Sequence, residues 1–489
     1  MTTYATILFL FFAMSTTTSF CLQEMEVLQM AKTQVSQAIN WVDNSMKLHG
    51  LESMSISLNQ TSVLALRDCA KLYEESEFML NNMMVEKSSY TKEDAIIWVS
   101  AMMTNHKTCL DGLEEKGYVQ ANQVLDRNLT SLLGQTLVLY SNNKIKVKEQ
   151  PQRSTILEEN DGLLDSWSLA NHRADFTVAQ DGSGSHRTIK EAVDALASMG
   201  HNRPSRAVIH VKAGVYHEKV EIEKKLHNVM FVGDGIDKTI VTGNRNVVHG
   251  STTLNSASFD VSGDGFWARD MTFENTAGPE NHQAVALKVS SDLSVFYRCS
   301  FKAYQDTLYV HSNRQFYRDC HIYGTIDFIF GDAAVVLQNC DIFIRKPMSH
   351  QSNFITAQGR DDPNKPTGIS IQNCRVRPDS DFSMVKDSIK SFLGRPWKKY
   401  SRTVFIKSDL DGLIHPKGWG EWEGNFALST LYYGEYMNTG NGASTQNRVN
   451  WPGFHVLKSS DEASQFTVSR FLQGEHWISA SGVPVWSGI

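Results

Sequence analysis

Two periods divide the chain. From residue 23 to about 141, apolar positions recur every three to four residues, the signature of helices that bury one stripe. In "VLALRDCAKLYEESEFMLNNMM", Leu66, Cys69 or Ala70, and Tyr73 share a face. "TKEDAIIWVSAMMTNHKTC" opens with a Thr91/Asp94 capping pair, then carries Val99, Met102, His106 and Cys109 on one stripe. Glycine is scarce here. A small helical bundle over residues 23–141 is predicted, with Cys69 and Cys109 able to staple two neighbouring helices. His106 reads as a structural member of its stripe. Residues 142–174, with Lys144, Lys146 and Lys148 followed by mixed polar residues, read as a linker.

From about Phe176 the pattern becomes short β-rich segments broken by Gly, Asn and Asp. Related segments recur: "GFWARDMTFEN", "VFYRCSF", "QFYRDCHIYG", "VVLQNCDIF" and "SIQNCRV". Their cysteines, Cys299, Cys320, Cys340 and Cys374, are 21, 20 and 34 residues apart. One β-pattern per 20–25 residues indicates stacked coils, and a parallel β-helix fits best. Equivalent positions on successive coils then lie about 4.8 Å apart. The cysteines form a ladder in which Cys320 and Cys340 either close a disulfide or remain buried thiols.

The same period organises polar residues. Gln283, Gln305 and Asp327 are spaced 22 and 22 residues apart, and Asp306 follows Gln305. Coils of 22 residues would stack the first three in a column flanked by Asp306. A ladder of amides is a known structural device. Two carboxylates beside it are harder to explain structurally, because like charges a few ångströms apart resist double ionisation. One carboxylic acid and one carboxylate at the same pH make an acid–base pair. Such a pair suits a retaining glycosidase, whose carboxyl groups stand about 5–5.5 Å apart. It equally suits an esterase in which Asp327 attacks a carbonyl and Asp306 protonates the leaving alkoxide. Amide donors help a negative acyl-transfer intermediate more than a cation-like glycosyl state, so the glutamines tilt the choice towards an ester. Asp327 lies in "GTIDFIFGD", where strand alternation would turn Ile326 and Phe328 into the core and Asp327 outward. Downstream, "SFLGRPWKKYSRTVF" offers Arg395 as a planar partner for Asp327 and Trp397 as a sugar platform.

Charge and composition narrow the partners. The 489 residues carry a net charge of −6 with 41% hydrophobic residues. Residues 1–174 hold 14 Lys+Arg against 20 Asp+Glu, which leaves 33 against 33 for the rest. No basic stripe argues for nucleic acid. Residues 1–22 include an apolar run from Ile7 to Met14, too short to span a bilayer but suited to a signal peptide. No other run approaches a membrane span. Secretion permits disulfides and glycosylation, and sequons occur at Asn59 and Asn128. No His/Cys/Asp set has zinc spacing, so no metal is implied. The glycines of "QDGSGSHRTIKEAVDAL" lack a P-loop lysine and more simply precede a helix that caps the solenoid.

The blocks "GPENHQAVAL", "YQDTLY", "GTIDFIFG", "FLGRPW" and "GNFALSTLYYGEYMNTGNGA" resemble, in order and spacing, those of plant pectin methylesterases, from about Phe176 to Pro484. The helical region, with "ALRDCAKLY" and "TNHKTCLDGL", resembles the inhibitor-like pro-region that precedes many of these enzymes. The resemblance implies a right-handed parallel β-helix over residues 175–489. It implies a secreted, monomeric cell-wall enzyme that hydrolyses methyl esters of homogalacturonan without a cofactor, with proteinaceous inhibitors as further partners. It also implies Asp306 as proton donor and later base, and Asp327 as nucleophile. Gln283 and Gln305 become the oxyanion stabilisers, Arg395 and Trp397 the positioning and sugar-contacting residues, and Thr253 a substrate contact. Cys320–Cys340 matches a family disulfide. The chain departs from the pattern in lacking an N-terminal cysteine pair in the helical region, which is short. It also lacks a dibasic processing site, with only Arg153 in "QPQRSTILEENDG". A glycosidase or lyase on the same fold, and a non-catalytic wall-binding or inhibitory protein, are the alternative readings.

Overall fold

The computed structural model describes residues 24–47, 60–85, 90–117, 121–142 and 162–489. The expected signal peptide, the Asn59 sequon and most of the expected linker lie outside them. The chain divides into two compact units at residue 150.

The first unit is helical: α1 (24–47), α2 (Gln60–Met84), α3 (Lys92–Glu115) and α4 (Ala121–Asn142). Thr91 and Asp94 form the expected capping box at the start of α3, each side chain accepting from the other's backbone N–H. Leu66, Cys69 and Tyr73 on α2 are fully buried, as are Val99, Met102, His106 and Cys109 on α3. Cys69 and Cys109 are bonded to each other. Next to the bridge, the Tyr73 hydroxyl meets His106 Nδ1 at 2.8 Å. His106 is thus a structural residue of the α2/α3 seam. Asn128 is exposed on α4. No described helix is long and apolar enough to cross a membrane.

The second unit is a solenoid of three parallel sheets with eleven, seven and eight strands. A representative coil runs from Ser294–Tyr297 in the eleven-stranded sheet, through Ser300–Lys302 in the eight-stranded sheet, to Leu308–Val310 in the seven-stranded sheet. The chain then returns to the first sheet at Arg314–Arg318. This is the parallel β-helix predicted from the repeat. Its interior is a stack of aromatic and aliphatic residues, with Phe273 on Phe301 and Phe296 on Tyr317 in stacked pairs. The helix Ile189–Ser198 closes one end, burying Ile189, Ala192, Val193 and Leu196 against the core.

The repeat visible in sequence is one turn. Asp270, Arg298, Asp319, Asn339, Asn373 and Lys407 all adopt left-handed backbone, with φ between 48° and 57°, between the eleven- and eight-stranded sheets. Asn and Asp tolerate that conformation best, which explains the recurring "NC" and "DC" pairs. Cys299, Cys320, Cys340 and Cys374 follow this turn residue and point inward.

The expected Cys320–Cys340 disulfide is not formed; all four thiols are free and buried. In an in-register parallel stack, equivalent side chains leave the backbone in the same direction, so Cys320 and Cys340 meet side by side as hydrogen-bonded thiols. Each thiol also faces backbone carbonyls: Cys320 those of Arg318 and Phe296, Cys340 those of Gln338 and Tyr317.

The end of the expected linker belongs to the solenoid. From Gly162 on, the chain packs down with Leu164 and Trp167 buried. The Arg269 guanidinium donates to the carbonyls of Leu164, Asp165 and Trp167 at 2.8, 2.6 and 2.9 Å, satisfying a helix end that would otherwise be orphaned.

Alkylation after denaturation without reductant should modify Cys299, Cys320, Cys340 and Cys374 and spare Cys69 and Cys109. Peptide mapping by mass spectrometry checks this; a linked Cys320–Cys340 peptide pair would contradict the free-thiol ladder.

Candidate active site

The stretch from Gly324 to Asp332 makes a tight turn between two sheets. Strand His321–Gly324 ends, Thr325 N–H donates to the Tyr304 carbonyl at 2.9 Å, and strand Ile329–Gly331 begins. Asp327 is therefore not a strand residue, as alternation suggested. It sits in the bend with φ 52°, and Phe328 behind it enters the core. Both flanking glycines are sterically required. A Cβ on Gly324 would come within 2.2 Å of Phe328, and one on Gly331, at φ 130°, within 2.0 Å of the Val310 carbonyl.

One coil earlier, Asp306 adopts the same left-handed backbone, φ 65°. Its N–H donates to the Ile326 carbonyl at 3.0 Å, and Leu308 pairs with Ile329, a step of 21. This register sets Asp306 level with Asp327, and Gln305 level with Ile326. The predicted three-membered column thus breaks at its last member. Gln283 does stand level with Gln305, since Ala284 N–H donates to the Gln305 carbonyl at 3.2 Å. The odd residue is absorbed in between, where the Ala286 and Leu287 N–H groups both donate to the Thr307 carbonyl, at 2.9 and 3.3 Å. Two carboxylates on adjacent coils, about 4.8 Å apart along the stack, follow from the step of 21. Both are buried, whereas Gln283 and Gln305 are half-buried.

Arg395 arrives from the end of strand Ser391–Gly394, anchored by its N–H to the Thr356 carbonyl at 3.0 Å. Its guanidinium grips Asp327 with both prongs: Nε to Oδ1 at 2.8 Å and Nη2 to Oδ2 at 2.6 Å. Burial pushes the Asp327 carboxyl above the usual carboxylate range, and the bonds and charge of Arg395 pull against that rise. Burial likewise opposes the Arg395 charge, but Asp327 outweighs it and holds the guanidinium above its ordinary pKa, with a further contribution from Asp306. Two aromatic rings flank the cation: those of Phe354 and Trp422 each lie 4.4 Å from the guanidinium carbon.

Trp397 forms an apolar floor with Ala257, Val285, Tyr309, Phe330 and Ala357. Tyr309 stacks on Phe330 at 4.2 Å, and Trp397 meets Phe330 edge-on at 6.0 Å. Gly359 makes room for the indole, since a Cβ there would lie 2.8 Å from Trp397 Cε3. Thr253 is half-buried before the turn Leu254–Ser256. Asp332 is structural: buried, it takes Lys365 at 2.8 Å and Thr367 at 2.5 Å.

Asp306, Asp327 and Arg395, chosen from sequence, thus converge, with Gln283 and Gln305 on the neighbouring turns. Phe354 and Trp422 were missed. Phe354 lies in an ordinary strand pattern, and Trp422 in "GEWEG" carries no periodic signal, so nothing local marked either. Among the described residues no group of His, Cys, Asp and Glu is arranged to hold a metal ion.

Comparison with known proteins agrees with the fold. The pectinesterase family model matches residues 175–475, and that of plant invertase/pectin methylesterase inhibitors matches residues 15–139. The chain belongs to the pectinesterase family. It is 53% identical to "Probable pectinesterase/pectinesterase inhibitor 36" of Arabidopsis thaliana, over 95% of this chain and 94% of that protein. It is 54% identical to "Pectinesterase 2" of Citrus sinensis, over 88% of this chain and 83% of that one. The solved structure of pectin methylesterase from carrot superposes with a TM-score of 0.64 at 54% identity, covering 66% of this chain and all of that one. Pectinesterases are carboxylic ester hydrolases, and this chain is a member with an inhibitor-like helical unit ahead of its β-helix.

Replacing Arg395 by Met removes the hydrogen bonds and the charge that lower the Asp327 pKa, while burial still raises it. The R395M acidic limb of kcat/KM should therefore move to higher pH, with activity near neutrality down more than about tenfold. Ester hydrolysis followed from pH 5 to 9 checks both; an unmoved limb would contradict the coupling.

Proposed function

We propose that this chain is a secreted pectin methylesterase that converts methylated homogalacturonan to pectate and methanol in the cell wall through an aspartyl acyl-enzyme. The observation that carries this reading is the Asp327 carboxyl group held by the Arg395 fork beside a second carboxyl group, Asp306, on the adjacent coil. Asp327 attacks the ester carbonyl and forms an acyl bond. The displaced methoxide takes the Asp306 proton and leaves as methanol. Asp306, now a carboxylate, takes a proton from water, whose oxygen attacks the acyl carbonyl. The bond to Asp327 breaks, the galacturonic acid product departs, and Asp306 is again protonated.

Gln283 and Gln305, level with one another on neighbouring turns, supply amide donors to the oxyanion of each tetrahedral intermediate. The raised Asp327 pKa favours this role, since a more basic carboxylate is the better nucleophile. Trp397 and its aromatic floor offer a sugar-stacking surface, and Thr253 takes a peripheral substrate contact. The chemistry is complete with these side chains and calls for no cofactor. The carboxylates also have the separation expected of a retaining glycosidase, but that reaction has no use for paired amides. The enzyme acts as a monomer, and its cleft is the surface a proteinaceous pectin methylesterase inhibitor would block. Asn59 and Asn128 carry the glycans, and residues 1–22 direct secretion.

Asp327→Ala should abolish methanol release from highly methylated pectin, by a factor of at least about 10³. The assay pairs methanol quantification with circular dichroism to verify the fold. A folded variant that still releases methanol would sink the mechanism. New reducing ends from the wild-type protein would instead favour the glycosidase.

A further inference from the structure

A charge problem lies within the reaction just described. In the free enzyme Arg395 is held chiefly by two hydrogen bonds to a carboxylate. Once Asp327 becomes one half of the acyl anhydride, that charge is gone and only weak neutral acceptors remain. At the same moment Asp306 becomes a carboxylate, one coil step away and already felt by Arg395. An unrestrained guanidinium would turn towards the new charge. Pairing with Asp306 would lower the basicity of the group that must next deprotonate water.

The structure contains a restraint that does not depend on the charge of Asp327. Phe354 and Trp422 each place a ring 4.4 Å from the Arg395 guanidinium carbon. Phe354 is itself backed by Phe392, stacked at 5.2 Å, on the neighbouring strand. Trp422 comes from the loop after Gly420, whose N–H donates to the Gly394 carbonyl at 3.0 Å, immediately before Arg395. Gly420 leaves space for Phe354, because a Cβ there would lie 2.5 Å from the phenyl ring. The two rings and the cation thus form one packed unit. Trp422 is 37% exposed, so its contact with the cation, not burial in the core, accounts for its position.

We propose that Trp422 is a positioning residue for deacylation: its ring, with that of Phe354, retains Arg395 at the acylated Asp327 and keeps it from turning to Asp306, the group that activates water. This inference rests on the acyl-enzyme reading. A quadrupolar face attracts a cation whether or not the carboxylate is charged, so the contact persists through the whole cycle. The effect is specific to the second half-reaction. In the first, the ionised Asp327 holds Arg395 without help.

Trp422→Ala and Trp422→Phe separate this role from a plain sugar platform. Methylated oligogalacturonate is mixed with enzyme in a rapid-quench device, and methanol is counted per active site. Acid-quenched protein is then examined by mass spectrometry for a galacturonyl adduct on the peptide carrying Asp327. For W422A, kcat should fall about tenfold. Methanol should appear in a burst approaching one equivalent, larger than in the wild type, and the adduct should accumulate. W422F, which retains a ring, should recover most of kcat and lose the excess burst. A rise in KM with kcat unchanged would overturn the proposal in favour of substrate stacking. A lower kcat without adduct accumulation would also overturn it. Methanol release by folded Asp327→Ala would instead remove the acyl-enzyme itself, so the two failures are distinguishable.

Discussion

The register of one coil on the next is the constraint on which the rest of this molecule depends. In a parallel stack each side chain has its counterpart from the neighbouring coil about 4.8 Å away. Leu287, Leu308 and Ile329 advance in steps of 21, and everything attached to those strands follows. The register brings Asp306 under Asp327, two carboxyl groups at a spacing that disfavours simultaneous ionisation. The same register lets the buried Lys288 pair directly with the buried Asp260 on the preceding coil, at 3.1 Å. A single extra residue near Ala286 shifts the amides relative to the acids without disturbing the strands on either side. A one-residue change in step thus decides which polar groups meet.

The second determinant comes from far along the chain. Arg395 follows Asp327 by 68 residues and reaches it from the seven-stranded sheet, two strands beyond Ile329–Gly331. Its fork opposes the desolvation that burial imposes on Asp327, and the aromatic rings around it exclude water without competing for the carboxylate. Behind the pair, Tyr309, Phe330 and Trp397 turn the outer face of the same sheet into an apolar floor. The two acids sit in the bends that lead into these short strands, and the strands themselves carry the floor residues Tyr309 and Phe330.

Much of this was legible in the linear chain. The cysteine repeat reported a recurring left-handed turn, because Asn and Asp accept positive φ and the next residue must fit the interior. The Thr91/Asp94 pair and the stripes around Cys69 and Cys109 were equally local and reappear unchanged. The column of Gln283, Gln305 and Asp327 was right in its first step and wrong in its second, since spacing in sequence cannot show where a bulge absorbs a residue. Asp327 itself was read as an alternating strand residue. Its positive φ was invisible because the flanking β-branched and aromatic residues follow a strand pattern.

What the sequence determined by itself is whatever depends on short-range periodicity and side-chain chemistry: a helical unit, then a coil-repeat solenoid, and the acids, amides and arginine able to carry out acyl transfer. What only the tertiary structure decided is which of them touch. Asp306 rather than Gln305 stands beside Asp327 because those two coils pair in a step of 21, while the bulge near Ala286 sets only Gln283 level with Gln305. Cys320 and Cys340 meet side by side because stacked side chains leave the backbone in the same direction. Trp422 joins Arg395 because a loop closes back over Gly394. Each is a contact between residues remote along the chain, whose energy depends on distance and direction in space, and neither is encoded in the local pattern around any one of them.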